Sequence, residues 1–338
     1  MMNFCTLFDS YYLDKGLALY SSLEKVSEDF TLYVFCFDED SYEILKKKNF
    51  SHMVVLRQNV FETDELLALK RERSKAEYCW TCTSVIIEYV LNHFPVQSCT
   101  YLDSDLYFYS DPKIIFDEIC DSRADVLIVP HRFKNNRDGR LMEERNGTYC
   151  VEFNYFNQSD NSRKVLTWWK DRCFEWCYDI PDPERMGDQK YLNTFPQFAG
   201  VHILQNLGGG VAPWNLEQYC FTDKKEAGLW MRNMTGEEFR LVFYHFQNLR
   251  YLPGKKVNIK SQTKNRELKY RIYIPYLREI EKIRAELKEE YGLSFEPKKL
   301  QRSSNPVVGF LQRHFAAYKV RSLSDIIDLK QLDKYRYQ

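Results

Sequence analysis

From Phe4 to His131, strand-like and helix-like segments alternate, and this alternation constrains the fold more than any other feature. Runs rich in β-branched and aromatic residues, FCTLF (4–8), FTLYVFCF (30–37), HMVVLRQ (52–58), CTYLDSDLYFY (99–109) and ADVLIVPH (124–131), read as strands. Between them, YLDKGLALYSSLEKV (12–26), DSYEILKKK (40–48), TCTSVIIEYVLNHF (81–94) and DPKIIFDEI (111–119) read as helices. In the last of these, Asp111 suits the N-cap and Pro112 the first helical position. Such alternation predicts an α/β sandwich around a largely parallel sheet, with ligands bound beyond the carboxyl ends of the strands. Farther on, SRKVLTWWKDRCFEWC (162–177) is helical, DIPDPERMGDQKYL (179–192) is a loop, and GVHILQN (200–206) and FRLVFYHF (239–246) are strand-like.

After about residue 260 the composition changes. YIPYLREIEKIRAELKEEYG (273–292) is a charged periodic helix, and NPVVGFLQRHFAAYKV (305–320) is an amphipathic one. The expected organisation is a main domain over 1–260 with a helical extension, 261–338, packed on it. A basic face touching a membrane surface is the alternative for the tail. The 48 basic and 48 acidic side chains cancel, which argues against nucleic acid as a partner. Aromatic residues make up 16% of the chain, as expected for a Tyr- and Phe-rich core, although such rings also stack on bases and sugars. MMNFCTLFDSYY lacks the basic and apolar regions of a signal peptide, and no apolar run approaches the roughly 20 residues that span a bilayer. The expectation is a cytoplasmic chain with its ten cysteines reduced and the Asn146 sequon without a glycan.

Chemistry concentrates at Asp103 and Asp105. In an extended strand residues i and i+2 face the same way, so the two carboxylates converge if the strand continues through them. At a carboxyl edge they would form a hard-oxygen site for Mg²⁺ or Mn²⁺, ions that bridge protein carboxylates and phosphates. An acidic surface turn is the plainer reading. The position, after a strand and ahead of a capped helix, favours the site.

The stretch TYLDSDLYFYSDP (100–112) resembles the DxD segment of nucleotide-sugar-dependent glycosyltransferases of the GT-A fold. The order of the other landmarks is similar to the retaining family 8 type and its bacterial polysaccharide relatives. These are TLFDSYYLDKGLALYSSL (6–23), KAEYCWTCTSVIIEYVL (75–91), MGDQKYL (186–192), NLGGGVAPWN (206–215) and LVFYHF (241–246). The resemblance, over roughly residues 3 to 260, implies that Asp103, Asp105 and His245 hold the cation beneath the donor diphosphate, with Ser104 beside the donor. Imidazole beside carboxylates suits Mn²⁺ better than Mg²⁺. Asp188 and Gln189 are implied at the anomeric carbon, and Asn206, Gly208, Gly209 and Trp214 near the donor and acceptor sugars. Phe8, Asp9 and Tyr11 are candidates for the nucleoside, and Lys75 and Thr81 for the diphosphate.

Several positions depart from the family pattern. Asn248 and Tyr251 stand where relatives carry a glycine and the lysine that faces the leaving diphosphate, with Arg250, Lys255 or Lys256 as substitutes. CWTCTS (79–84) lacks the arginine often found on that helix, and Cys150 and Glu152 replace an Asn-x-Gly in TYCVEFNYF (148–156). The resemblance implies transfer of a hexose from a nucleotide-diphosphate sugar, UDP-linked by preference, to a glycan or lipid-linked acceptor, with retention. Its setting would be bacterial surface polysaccharide assembly at the inner membrane face. The rivals are a catalytically silent nucleotide- or glycan-binding protein and a sugar nucleotidylyltransferase, although the glycine-rich activation loop of the latter is missing from the amino terminus. Gly208–Gly210 are not followed by the Lys-Ser/Thr of a phosphate-binding P-loop, and Cys79-x-x-Cys82 reads as packed thiols before a redox or zinc motif.

Overall fold

The computed structural model describes residues 1–295 and 325–335. Its strands are β1 (Met2–Phe8), β2 (Phe30–Cys36), β3 (Met53–Arg57), β4 (Ser98–Leu102), β5 (Leu106–Phe108), β6 (Val126–Pro130), β7 (Tyr149–Asn157), β8 (Val201–Ile203), β9 (Tyr219–Phe221), β10 (Trp230–Asn233), β11 (Glu238–Arg240), β12 (Phe243–His245), β13 (Arg250–Leu252), β14 (Lys256–Asn258) and β15 (Ile326–Asp328). Its helices are α1 (Leu13–Val26), α2 (Glu39–Lys48), α3 (Asp64–Glu72), α4 (Lys75–His93), α5 (Lys113–Ser122), α6 (Arg137–Asn146), α7 (Asp160–Glu175) and α8 (Arg266–Tyr291).

Seven strands form the central sheet in the order β3-β2-β1-β4-β7-β6-β8. Within it β7 runs antiparallel to both β4 and β6, and the remaining pairings are parallel. The expected α/β sandwich on a mostly parallel sheet is therefore the one the chain adopts. Alternation along the strands divides the core between the two faces. Phe4 and Phe8 of β1 pack with α1, α5 and α8, whereas Cys5 and Leu7 pack with Ile86 of α4 and Trp169 of α7.

Capping explains where the helices start. Asp38 accepts the Ser41 amide ahead of α2, and Ser74 with Glu77 forms a reciprocal capping box that starts α4 at Lys75 rather than at Thr81. Asp111 accepts the Lys113 amide at 2.9 Å, and Pro112 takes the N-cap one position ahead of the helix proper.

Two long strand candidates divide. CTYLDSDLYFY becomes β4 and β5, because the Leu106 amide donates to the Asp103 carbonyl and turns the chain out of the sheet. FRLVFYHF becomes β11, in a small antiparallel sheet with β10 and β9, and β12, which pairs antiparallel with β5.

Beyond residue 260, α8 contributes Ile272, Tyr273, Tyr276, Leu277 and Ile280 to the same core as β1 and β5. β15 closes an antiparallel sheet with β14 and β13. A buried pair, Lys269 Nζ to Asp325 at 2.7 Å, ties that strand to α8. The amphipathic segment 305–320 lies outside the described residues. Among the described residues no helix is long and apolar enough to cross a membrane.

Candidate functional site

The paired aspartates occupy the turn between β4 and β5, not a continuous strand. Main-chain bonds hold the turn on both sides: the Asp103 amide donates to the Glu152 carbonyl of β7, and the Phe246 amide beyond β12 donates to the Asp105 carbonyl, each at 3.0 Å. Register places His245 opposite Leu106, immediately after the turn. The side chains then converge. His245 Nε2 lies 3.1 Å from Asp105 Oδ1 and 3.5 Å from Asp103 Oδ2, while Nδ1 lies 2.6 Å from Glu152 Oε2.

These spacings fit a divalent cation. Neighbouring ligands about 2.1 Å from an octahedral ion lie about 3.0 Å apart, and two carboxylates with one imidazole form a donor set of the Mn²⁺ type. The imidazole and the carboxylates also shift one another's titration. Burial disfavours the charged imidazole, yet the Asp105 carboxylate and its hydrogen bond hold His245 well above its ordinary value. Burial raises Asp105 too, but the facing imidazole outweighs it and leaves that carboxyl low. Asp103 is raised, first by burial and then by the charge of Asp105, against the attraction of His245.

Asp188 faces the same cluster. It is 4% exposed, and burial together with the charge of Asp103 pushes it up to about 8, against a hydrogen bond with the Thr83 side chain. Trp169 Nε1 fixes the Asp188 carbonyl at 2.9 Å. Gln189 donates Nε2 to the Asn146 carbonyl at 2.9 Å. Trp214 is buried and donates Nε1 to the His131 carbonyl at 2.8 Å. Its ring meets His131 and His245 edge-on, with centroids 5.2 and 5.6 Å away, so it backs the site histidines and does not stand open to solvent.

The remaining candidates divide between the rim and the framework. At the tip of β1, Asp9 is ion-paired with Lys75, and Tyr11 is 49% exposed. Ser104 is half-buried at the tip of the aspartate turn. Phe8 points inward, 3% exposed, so close to α1 that a Cβ at Gly16 would meet its ring at 2.3 Å. Thr81 is fully buried, bonded to the Arg73 guanidinium and the Glu77 carbonyl.

In the glycine-rich turn Asn206 Oδ1 accepts the Gly208 amide at 2.8 Å. Arg132 donates to the carbonyls of Gly209, Leu204 and Asn206. A Cβ at Gly208 would lie 2.0 Å from the Arg240 carbonyl oxygen, and at Gly209 2.6 Å from Leu204 Cδ2. Close packing accounts for these glycines.

Of the departures, Tyr251 lies beneath the Arg284 guanidinium, 3.4 Å from its ring centroid, and Arg250, Lys255 and Lys256 are exposed on the β13–β14 hairpin. Asn248 adopts a positive φ of 65°. Cys79 and Cys82 are free, and burial pushes Cys79 up to about 12 and Cys82 well above its ordinary value, which disfavours a reactive thiolate.

Three residues escaped sequence reading. Glu152 was visible only as a departure. Lys15 sits 3.7 Å over the Tyr12 ring; burial lowers it and the charge of Asp105 opposes that. His131 is pushed by burial down to about 3 and stays neutral. Their links to the cluster, Glu152 to His245 and Lys15 to Asp105, join residues far apart in sequence and leave no local signal. Two surface grooves of about 800 and 620 Å³ lie along α4 and α7 and beside Trp168 and Trp176; no residue of the aspartate–histidine cluster lines either.

No family model matches the sequence. Solved glycosyltransferase structures are similar to it at low identity. Mouse xyloside xylosyltransferase 1 shows 14% identity and a TM-score of 0.45, covering 73% of this chain and 98% of that one. The galactosyltransferase LgtC in complex with donor and acceptor sugar analogs shows 15% identity and a TM-score of 0.45, over 64% of this chain and 77% of that one. In sequence, two uncharacterized proteins of Bacillus subtilis (strain 168) match over most of their length. YfnD is 29% identical over 281 residues, covering 81% of this chain and 87% of its own. YfnF is 31% identical over 274 residues, 79% of this chain and 88% of its own. Shared identity at this level over most of both chains means that the chain belongs to the family of Bacillus subtilis YfnF.

Proposed function

We propose that the chain is a metal-dependent glycosyltransferase that moves a hexose from a nucleoside-diphosphate sugar, UDP-linked by preference, to a glycan or lipid-linked acceptor with retention of configuration. The observation that carries this reading is the convergence of Asp103, Asp105 and His245 at the carboxyl edge of the sheet, with the buried Asp188 beside them. Asp103, Asp105 and Nε2 of His245 would hold Mn²⁺ or Mg²⁺. Once bound, the cation supplies the positive charge that stabilises a departing diphosphate. The other roles belong to the protein. Asp188, protonated at neutral pH, donates a hydrogen bond to a sugar hydroxyl, and Tyr11 with the Asp9–Lys75 pair borders the nucleoside side. Lys15 adds a fixed cation near Asp105. Assembly of bacterial surface polysaccharide is the proposed setting.

The test is calorimetric titration of UDP with and without Mn²⁺, followed by UDP-sugar hydrolysis assays. Asp103→Asn combined with Asp105→Asn should abolish metal-dependent UDP binding while the far-ultraviolet circular dichroism stays unchanged. Equal affinity in the double variant rejects the assignment. A second reading, a silent nucleotide-binding protein, draws on Tyr251 and Asn248 at positions where the resemblance to family 8 enzymes implies lysine and glycine; metal-dependent binding without turnover of any donor would favour it.

A further inference from the structure

Glu152 is the acidic residue of the cluster that the metal-binding reading leaves without a task. Its side chain is 1% exposed, in the middle of β7. A carboxylate in that position is costly unless it is matched. One oxygen, Oε2, lies 2.6 Å from His245 Nδ1, while Oε1 is buried with no hydrogen-bond partner among the described residues. The main chain of the same residue accepts the Asp103 amide at 3.0 Å. One residue thus governs two members of the cluster, Asp103 through its carbonyl and His245 through its carboxylate.

We propose that Glu152 is a positioning residue for the metal site. It takes the Nδ1 proton of His245 as a hydrogen bond, fixes the ring against Trp214, and leaves the lone pair of Nε2 aimed between Asp103 and Asp105. An imidazole carries one proton when neutral, and the nitrogen it sits on is decided by the partner of the other nitrogen. With Glu152 on Nδ1, Nε2 is the free ligand. Without it, the proton is as well placed on Nε2, where it blocks a cation, and the ring can turn about its edge contact with Trp214. A carboxylate behind the histidine also makes Nε2 a better ligand. This inference rests on the metal reading given above.

The experiment compares Mn²⁺ affinity, from the electron paramagnetic resonance of free Mn²⁺ in the presence of UDP, for the wild type, Glu152→Gln and Glu152→Ala. Histidine ¹⁵N spectra of the Mg²⁺·UDP-loaded proteins report which ring nitrogen is protonated. Outer-sphere partners of this kind are worth about 10- to 100-fold in metal affinity. Glu152→Gln retains an oxygen acceptor for Nδ1–H, so the expected loss is near the lower end, with the Nδ1–H tautomer preserved. Glu152→Ala should lose close to 100-fold and show protonation at Nε2 in part of the population. Urea midpoints establish that each variant is folded, and the near-isosteric Gln variant remains informative if Ala does not fold. Affinities within twofold of wild type in a folded Gln or Ala variant, or an Nε2–H tautomer in the wild type, overturn the role of Glu152 and leave the metal site standing. Failure of the wild type to bind Mn²⁺ with UDP removes the metal reading and this inference together.

Discussion

Replacing Asp188 by Asn should remove most of the pH dependence of stability around neutrality. Asp188 titrates near 8 in the folded protein, with burial the main cause and the charge of Asp103 adding to it. An unfolded Asp titrates near about 3.9. The folded state therefore binds its proton more tightly, so this group's contribution to stability is fully present below the unfolded value and is lost as pH rises through the folded one. Inside that window one proton is released on unfolding, which gives a slope of about 1.4 kcal/mol per pH unit. From pH 6 to pH 8 the wild type should lose about 2 kcal/mol on this account. Asn has the same shape, cannot ionise, and keeps a partner for Thr83. Urea unfolding of both proteins from pH 6 to 8.5, with EDTA and without nucleotide, gives the difference curve. Asp103 is present in both proteins, so its own titration largely cancels. The Asn variant should gain on the wild type by about 2 kcal/mol across the range. Parallel profiles would refute the reasoning, since they require Asp188 to be ionised and solvated at pH 7.

Further outcomes test the framework of the fold. Gly210 has φ 81°, and an added Cβ would lie 2.6 Å from Val129 Cγ1, so Gly210→Ala should cost more than about 2 kcal/mol in urea unfolding. Gly236, at φ 93° with open space around it, isolates the backbone strain, and Gly236→Ala should cost about 1 kcal/mol. Lys269→Met leaves the Asp325 carboxylate buried without its ion-pair partner, though still bonded to the Ser261 hydroxyl, and about 3–5 kcal/mol should be lost. Adding Asp325→Leu should recover much of that loss, measured as the urea midpoint.

How much the sequence disclosed depended on the range of the interaction. β1 to β3, α1 and α2 are set by local periodicity and caps such as Asp38, and their reading needed no partner. The division of 99–109 at Asp103 was invisible because β5 leaves the sheet to join β12, and that pairing spans Leu106 to His245. The two aspartates meet through a turn held by other strands, so the two-residue periodicity gave the right neighbours for the wrong reason. Phe8 went inward because it shares a face with Phe4 in a strand covered on both sides, whereas the adjacent Asp9 already belongs to the rim. The partnership of Glu152 with His245 spans 93 positions, and nothing near either residue announces it.

The aspartate turn has a kinetic consequence. It is stitched to β7 by the Asp103 amide and to β12 through the Asp105 carbonyl, segments that are widely separated along the chain. Closing loops of that length is slow, and long-range pairings come late in folding. The first half of the sheet has short-range parallel crossovers and should assemble well before β12 arrives. Ion capture during refolding from urea should therefore lag behind the recovery of helical signal, and the lag would time the arrival of a single strand.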